Sequence, residues 1–255
     1  MQSNFLISLF SLFLAFNLPA CQVKNQPSES TPVSHKIWDG LLQKHVKEGK
    51  VSYKGFIQDS VQLNAYLKVL QDNHPNTKHW SPNERLAYWI NAYNAFTVKL
   101  IVDNYPVESI KDIKKGVPFI NTVWDIKFIK IEDATYDLNN IEHGIIRSKF
   151  KESRIHFAVN CASISCPNLY SRAYVAEKLD EQLTFVAKDF LTDTSKNIIS
   201  AEKVELSKIF QWYGGDFKKD GKSLIEYINQ YAPTKVNEDA EKSFLDYNWN
   251  LNDEG

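Results

Sequence analysis

The chain has 255 residues, of which 43% are hydrophobic and 24% charged, a composition that suits a globular protein with a sizeable core and excludes a disordered tail or a collagen-like fibre. Thirty Lys+Arg oppose 31 Asp+Glu, for a formal net charge of -1. Nucleic-acid binding needs a clustered cationic face, so the near-neutral balance argues against nucleic acid as a partner.

Residues 1–20 contain no charged side chain, and residues 5–18 are apolar except for Ser8, Ser11 and Asn17. This run is short for a bilayer span, which takes about 20 residues. It reads as the apolar region of a secretory signal peptide. Its end, Leu18-Pro19-Ala20-Cys21, resembles a bacterial lipobox, which makes Cys21 the expected lipidation site and the membrane a partner through that anchor. Two features depart from the pattern: the leader has no Lys or Arg, and Pro19 sits two residues before the cysteine. Residues 21–36 are polar and Gln/Ser/Thr/Pro-rich, as a flexible tether would be. The resemblance to lipoproteins, with Gln22 after Cys21, implies an outer-membrane location facing the periplasm or the cell surface. The expected organisation is a signal peptide over 1–20, a lipidated tether over 21–36 and one globular domain over 37–255.

Within the domain, helical spacing begins at Ile37, Leu41, Leu42 and Val46 and returns at Leu63, Leu67 and Leu70. The strongest predicted helix covers 82–104. Ser81 is its N-cap, Pro82 its first position and Glu84 the third, which is the pattern of a capping box. Its apolar residues surround the axis, as in a helix buried on all sides. Asn91 and Asn94 lie on it, and a buried amide without partners costs about 1–3 kcal/mol. They must either tie loops to the core or face a polar site.

Further along, 124–131 reads as β-like with a hairpin return through Thr135, Tyr136 and Asp137. The chain then reads as helix over 138–150, strand over 154–160, and helices over 179–191, 204–213 and 223–231. Gly214-Gly215-Asp216 reads as a turn, since a phosphate loop would need more glycines and a following helix with Lys. No cofactor is expected. The expected fold class is α+β: a helical body with a buried central helix on a small, mostly antiparallel sheet. His35, His45, His74 and His79 sit in polar surroundings and are expected at the surface, as is the charged loop 111–115. Trp38, Trp80, Trp124 and Trp249 are candidates for exposed aromatics, and Asp253-Glu254 for a frayed end.

The chemistry concentrates in residues 139–169, which hold two of the six histidines and both cysteines other than Cys21. Glu142 lies at the edge of a predicted inward stripe, with His143 about 100° further round the helix. On a strand, His156 and Asn160 would share a face, with Cys161 just after. Three chemistries could use these groups. Cys161 could be a nucleophile with His156 or His143 as base and Glu142 or Asn160 orienting the imidazole. Cys161 and Cys166 could form a disulfide in an oxidising compartment. Glu142, His143, His156 and a cysteine could hold a metal, although the spacing matches no common zinc pattern.

The segments RLAYWINAYNAFTVKLI (85–101), IEHGIIR (141–147), RIHFAVNCASISCPNL (154–169), IFQWYGGDF (209–217) and LDYNWNLN (245–252) resemble the domain of unknown function 547 family over roughly residues 75–252. The matching positions are Arg85, Asn91, Asn94, Glu142, His143, His156, Asn160, Cys161 and Cys166. A weaker likeness runs to papain-like and transglutaminase-like folds, but there the cysteine precedes the histidine, and here it follows. The expected function is that of an envelope lipoprotein acting as a thiol-dependent hydrolase or acyl transferase on peptide or cell-wall amide bonds. The alternative is a binding lipoprotein for peptide or glycan with a Cys161–Cys166 disulfide, and a metal-binding protein is third.

Overall fold

The computed structural model describes residues 27–114 and 122–255. The leader and Cys21 therefore lie outside the described residues, as does Lys115 of the charged loop. Among the described residues no helix is long and apolar enough to cross a membrane.

The α+β class is borne out, with 48% of the described residues helical. Helices Lys36–His45, Tyr53–Gln58 and Ser60–Gln71 lead into the central helix Pro82–Val102. That helix starts where the capping box predicts: Glu84 N–H donates to Ser81 Oγ at 3.2 Å, and Ser81 N–H donates to Glu84 Oε2 at 2.7 Å. Leu86, Trp89, Ile90, Tyr93 and Phe96 are all buried, so apolar contact surrounds the axis. Its neighbours are chiefly other helices, among them Tyr53–Gln58, Ser60–Gln71 and the segment Asn140–Ile146. The strands do not form the single small sheet expected beside it. They fall into hairpins Val46–Lys47/Lys50–Val51 and Ile129–Ile131/Ala134–Tyr136, and a sheet in which Lys203–Leu206 pairs antiparallel with Ile198–Ile199 and parallel with Glu241–Phe244.

Two segments differ from their expected conformation. The predicted strand over 154–160 is a 3-10 turn, Ser153–Phe157. Ile155, His156, Phe157 and Ala158 are all buried, so no face alternation exists. The backbone bonds locally, with Ala158 N–H on Ile155 O at 2.9 Å. Arg154 anchors the turn by donating to Glu152 Oε2 at 2.7 Å and to Asp180 Oδ1 at 2.8 Å. The second difference covers 204–217. Lys203–Leu206 is a strand, and Ser207 caps a short helix, Lys208–Trp212. The predicted Gly-Gly-Asp turn is itself helical, Gly214–Phe217, and neither glycine takes a positive φ.

The two central asparagines act as loop ties. Asn91 donates to Tyr174 O at 2.8 Å and accepts from Tyr174 N–H at 3.0 Å. Asn94 donates to Ala158 O at 2.9 Å and accepts from Asn160 N–H at 2.9 Å. Each amide replaces a missing strand partner for a buried backbone residue.

Several surface expectations are overturned. His35, His45 and His74 are buried, because one nitrogen of each ring finds a specific partner: Tyr66 Oη at 2.8 Å, Asp59 Oδ2 at 2.6 Å and Tyr136 Oη at 2.8 Å, respectively. Trp38 stacks on Tyr66 inside the core, and Trp80 is buried with its indole N–H on Ser30 O at 2.9 Å. Trp124 and Trp249 are half-buried, whereas Trp212, 47% exposed, is the outward-facing one. Asp253-Glu254 is not frayed, since Glu254 N–H donates to Val51 O at 3.0 Å and Tyr105 Oη donates to Asp253 Oδ2 at 2.7 Å.

Asn94→Ala leaves the Ala158 carbonyl and the Asn160 N–H buried without partners, and should lower the unfolding free energy by about 3 kcal/mol in a urea titration. Buried His35 makes stability pH-dependent. Burial pushes the His35 pKa down to about 4. The unfolded chain then takes up a proton below about pH 6.5 that the folded chain refuses. The His35 contribution is full above that pH, shrinks on acidification and is exhausted near pH 4. The Tm of the wild type should therefore fall more steeply across this window than that of His35→Gln.

Candidate functional site

The cysteines sit on a loop whose two ends are tied together. Asn160 Nδ2 donates to Pro167 O at 2.7 Å, and Asn160 Oδ1 accepts from Ala162 N–H at 2.9 Å. The chain turns sharply between them, with Ala162 in the left-handed region at φ 62°. A non-glycine residue there is strained, and surrounding contacts must hold it. The C-terminal segment supplies them. Asn252 N–H donates to Ala162 O at 3.2 Å, and Ile164 N–H donates to Asn250 O at 2.9 Å. Tyr53 Oη in turn donates to Asn252 Oδ1 at 2.7 Å.

This loop brings the two sulfurs together. Cys161 N–H donates to Cys166 Sγ at 2.9 Å, and both cysteines are free thiols. Cys161 is partly exposed, and its sulfur lies 3.2 Å from Ser163 Oγ and 3.4 Å from Tyr247 Oη. The Cys166 S–H bond to the Cys161 sulfur, followed by those two hydroxyls, holds the Cys161 thiol below the ordinary thiol range against the opposing effect of burial. Burial and the neighbouring Cys161 push Cys166 the other way.

A second cluster faces this loop. Asn140–Ile146 is a π-helix, a rare widening that turns both Glu142 and His143 toward one cavity. Glu142 is buried and accepts from Tyr213 Oη at 2.9 Å. Arg147 donates to His143 Nδ1 at 3.1 Å and to Asp216 Oδ2 at 2.7 Å. Because an arginine only donates, His143 Nδ1 must be an acceptor, and its remaining proton is on Nε2. Asp216 Oδ2 also lies 2.8 Å from His156 Nε2. The His156 bond, with the Arg147 and Lys219 bonds, keeps the Asp216 carboxyl well below the usual carboxylate range. A carboxylate only accepts, so His156 Nε2 carries the proton. Burial lowers the His156 pKa and outweighs the carboxylate, which favours the neutral ring. Its Nδ1 is therefore a bare lone pair, buried and without a hydrogen-bond partner. Tyr213 stacks on the imidazole, with centroids 4.0 Å apart, and fixes its plane.

Both clusters line a cavity of about 270 Å³. Of the predicted residues, the fold brings Glu142, His143, His156, Cys161 and Cys166 into its wall. Asn91, Asn94 and Asn160 hold backbone instead, so Asn160 does not orient an imidazole. Arg85 lies away from the cavity, its guanidinium 5.8 Å from the Phe150 ring centroid. The imidazole partner is Asp216, which the reading of Gly-Gly-Asp as a turn concealed. Tyr213, Arg147 and Tyr247 were also missed, although all three fall inside the quoted motifs. His156 is not hydrogen-bonded to Cys161, whose oxygen partners are the two hydroxyls. Among the described residues no group of three or more His, Cys, Asp or Glu side chains is placed to hold a metal. A larger groove of about 640 Å³, between residues 32–36 and 170–185, contains none of the candidate residues.

No curated protein and no solved structure matches the chain. Residues 77–191, which carry the central helix, the π-helix and the cysteine loop, match the family model described as "Protein of unknown function, DUF547".

Proposed function

We propose that this cavity performs thiol-dependent acyl transfer, with Cys161 as nucleophile and His156 as acid–base, and that the substrate is an amide of a peptide or cell-wall chain. The observation that supports this most directly is the bare, buried Nδ1 of His156, backed by the Asp216 carboxylate, in the wall that also holds a partly exposed cysteine. A base held in one tautomer by a carboxylate is the arrangement that nucleophilic catalysis requires.

In this reading the packing over the buried His156 Nδ1 opens on substrate binding and a water carries the Cys161 proton to it, since sulfur and imidazole are not in direct contact. The thiolate attacks the substrate carbonyl carbon and forms a carbon–sulfur bond. The imidazolium then gives its proton to the leaving amine as the carbon–nitrogen bond breaks. Water, deprotonated by the same Nδ1, attacks the thioester, and the sulfur leaves as thiolate and recovers its proton. His143, held as the Nε2–H tautomer, offers a donor to the developing oxyanion. Asp216 stays ionised and holds the ring in place.

Reduced protein treated with p-nitrophenyl acetate should release a stoichiometric burst of p-nitrophenolate and carry an acetyl group on Cys161. Cys161→Ala should abolish the burst, and Asp216→Asn should slow it by about 100-fold. A neutral His156 keeps its base form on mild acidification, so the acid limb of the rate should lie below the ordinary histidine range. Absence of both burst and Cys161 acylation in folded wild type overturns the proposal. The aromatic rim of Trp124, Trp212, Tyr247 and Trp249 favours a second reading, a site that binds peptide or glycan without chemistry. Full retention of ligand binding and of cellular function by Cys161→Ala would support it.

We also propose that the chain is an envelope lipoprotein, on the strength of its apolar leader and the Cys21 motif. Cells fed a palmitate label should incorporate it into the wild type and not into Cys21→Ala.

A further inference from the structure

The two thiols do not behave as equals, and acyl transfer uses only one of them. Cys161 is partly exposed at the cavity wall, whereas Cys166 is 4% exposed behind it in the same wall. The backbone that carries them is already closed. Asn160 Nδ2 on Pro167 O joins the residue before Cys161 to the residue after Cys166, and Cys166 N–H donates to Ser163 O at 3.1 Å across the turn. The C-terminal segment pins the outer edge of the same loop through Asn250 and Asn252. Joining two sulfurs normally requires the chain to be brought round, at an entropic cost that grows with loop length. Here the folded loop has met that cost, and the Cys166 sulfur already lies against the Cys161 backbone at 2.9 Å.

From this geometry we propose a second activity: Cys161 and Cys166 are a dithiol/disulfide couple that exchanges with an accessible disulfide, Cys161 attacking and Cys166 resolving. The Cys161 thiolate attacks one sulfur of the co-reactant. The co-reactant's sulfur–sulfur bond breaks, a mixed disulfide forms, and the first thiolate leaves and takes a proton from solvent. Cys166 then loses its proton and attacks Cys161 Sγ, which expels the second thiol. The co-reactant gains two electrons and two protons, and the pair loses them as the Cys161–Cys166 bond forms. The Ser163 and Tyr247 hydroxyls stabilise the attacking sulfur as an anion, which is the form that reacts. The cavity of about 270 Å³ admits a small disulfide or the tip of a peptide chain. This activity rests on the cysteine loop and the Tyr247 hydroxyl and does not require His156 or Asp216.

The test uses the whole chain, reduced, desalted and exposed to oxidised glutathione under native conditions, with intact mass and peptide mapping to separate Cys21 from the pair. Wild type should lose the mass of two hydrogens, give a cross-linked peptide joining Cys161 to Cys166, and keep no lasting glutathione adduct. Cys166→Ser should trap glutathione on Cys161 as a stable mixed disulfide. In Cys161→Ser, modification of Cys166 should slow by about tenfold or more. Wild type that holds a persistent adduct on Cys161, or stays reduced while the urea-unfolded chain closes, overturns the proposal even if a variant fails to fold. The ester burst of the reduced protein reads the other activity separately. Closure without a burst removes acyl transfer and leaves the redox couple, and a burst without closure does the reverse.

Discussion

Asn94 makes the pair of hydrogen bonds on which the site depends. Its amide holds the carbonyl of Ala158 and the N–H of Asn160 against the buried central helix. Between and beside those points the chain leaves the 3-10 turn bearing His156 and enters the loop bearing Cys161. Among the described residues no β-strand pairs with Ala158 or Asn160, so the amide does the work of a sheet neighbour. Asn160 extends the tie by accepting from Ala162 and reaching across to Pro167. The result is a loop held at both ends, with one residue forced into the left-handed region.

Around that loop the electrostatics are set by groups that can only donate or only accept. Arg147 is a donor to His143 and Asp216, and Asp216 is an acceptor for His156. Those two constraints fix which way each bonded imidazole nitrogen faces, and burial, which favours the neutral His156 ring, leaves its Nδ1 without a proton. One ring is left with an N–H and the other with a lone pair, which divides them into a donor and a base. Tyr213 completes the arrangement from the same short segment as Asp216, bonding Glu142 and stacking on His156.

The C-terminal segment completes a site that the matched family region begins. Tyr247 touches the Cys161 sulfur, and Asn250 and Asn252 hold the loop edge. Trp249 packs against Trp124, Trp212 and Tyr247, with the Lys111 ammonium 3.6 Å from its ring centroid. An aromatic rim over a thiol gives the cavity an apolar entrance and shields the charge-bearing groups beneath it. The family match ends at residue 191, so Asp216 and Tyr247 come to the site from outside it.

Sequence alone determined the elements whose stability is local or one-sided. The central helix was legible because its cap and its all-round apolar pattern are written in consecutive residues, and Leu179–Thr192 because its apolar stripe repeats at helical spacing. Glu142, His143, His156, Cys161 and Cys166 were legible as a reactive set because polar and nucleophilic groups crowd a short apolar stretch. Tertiary structure alone decided what those groups do. A strand and a 3-10 turn share the same residues when both faces are buried, and only the neighbours choose between them. Asp216 lies 60 residues from His156 in sequence, and no local pattern can announce a partner that distant. The burial of His35, His45 and His74 follows the same rule, because a polar ring enters the core only where another part of the chain supplies its hydrogen bond.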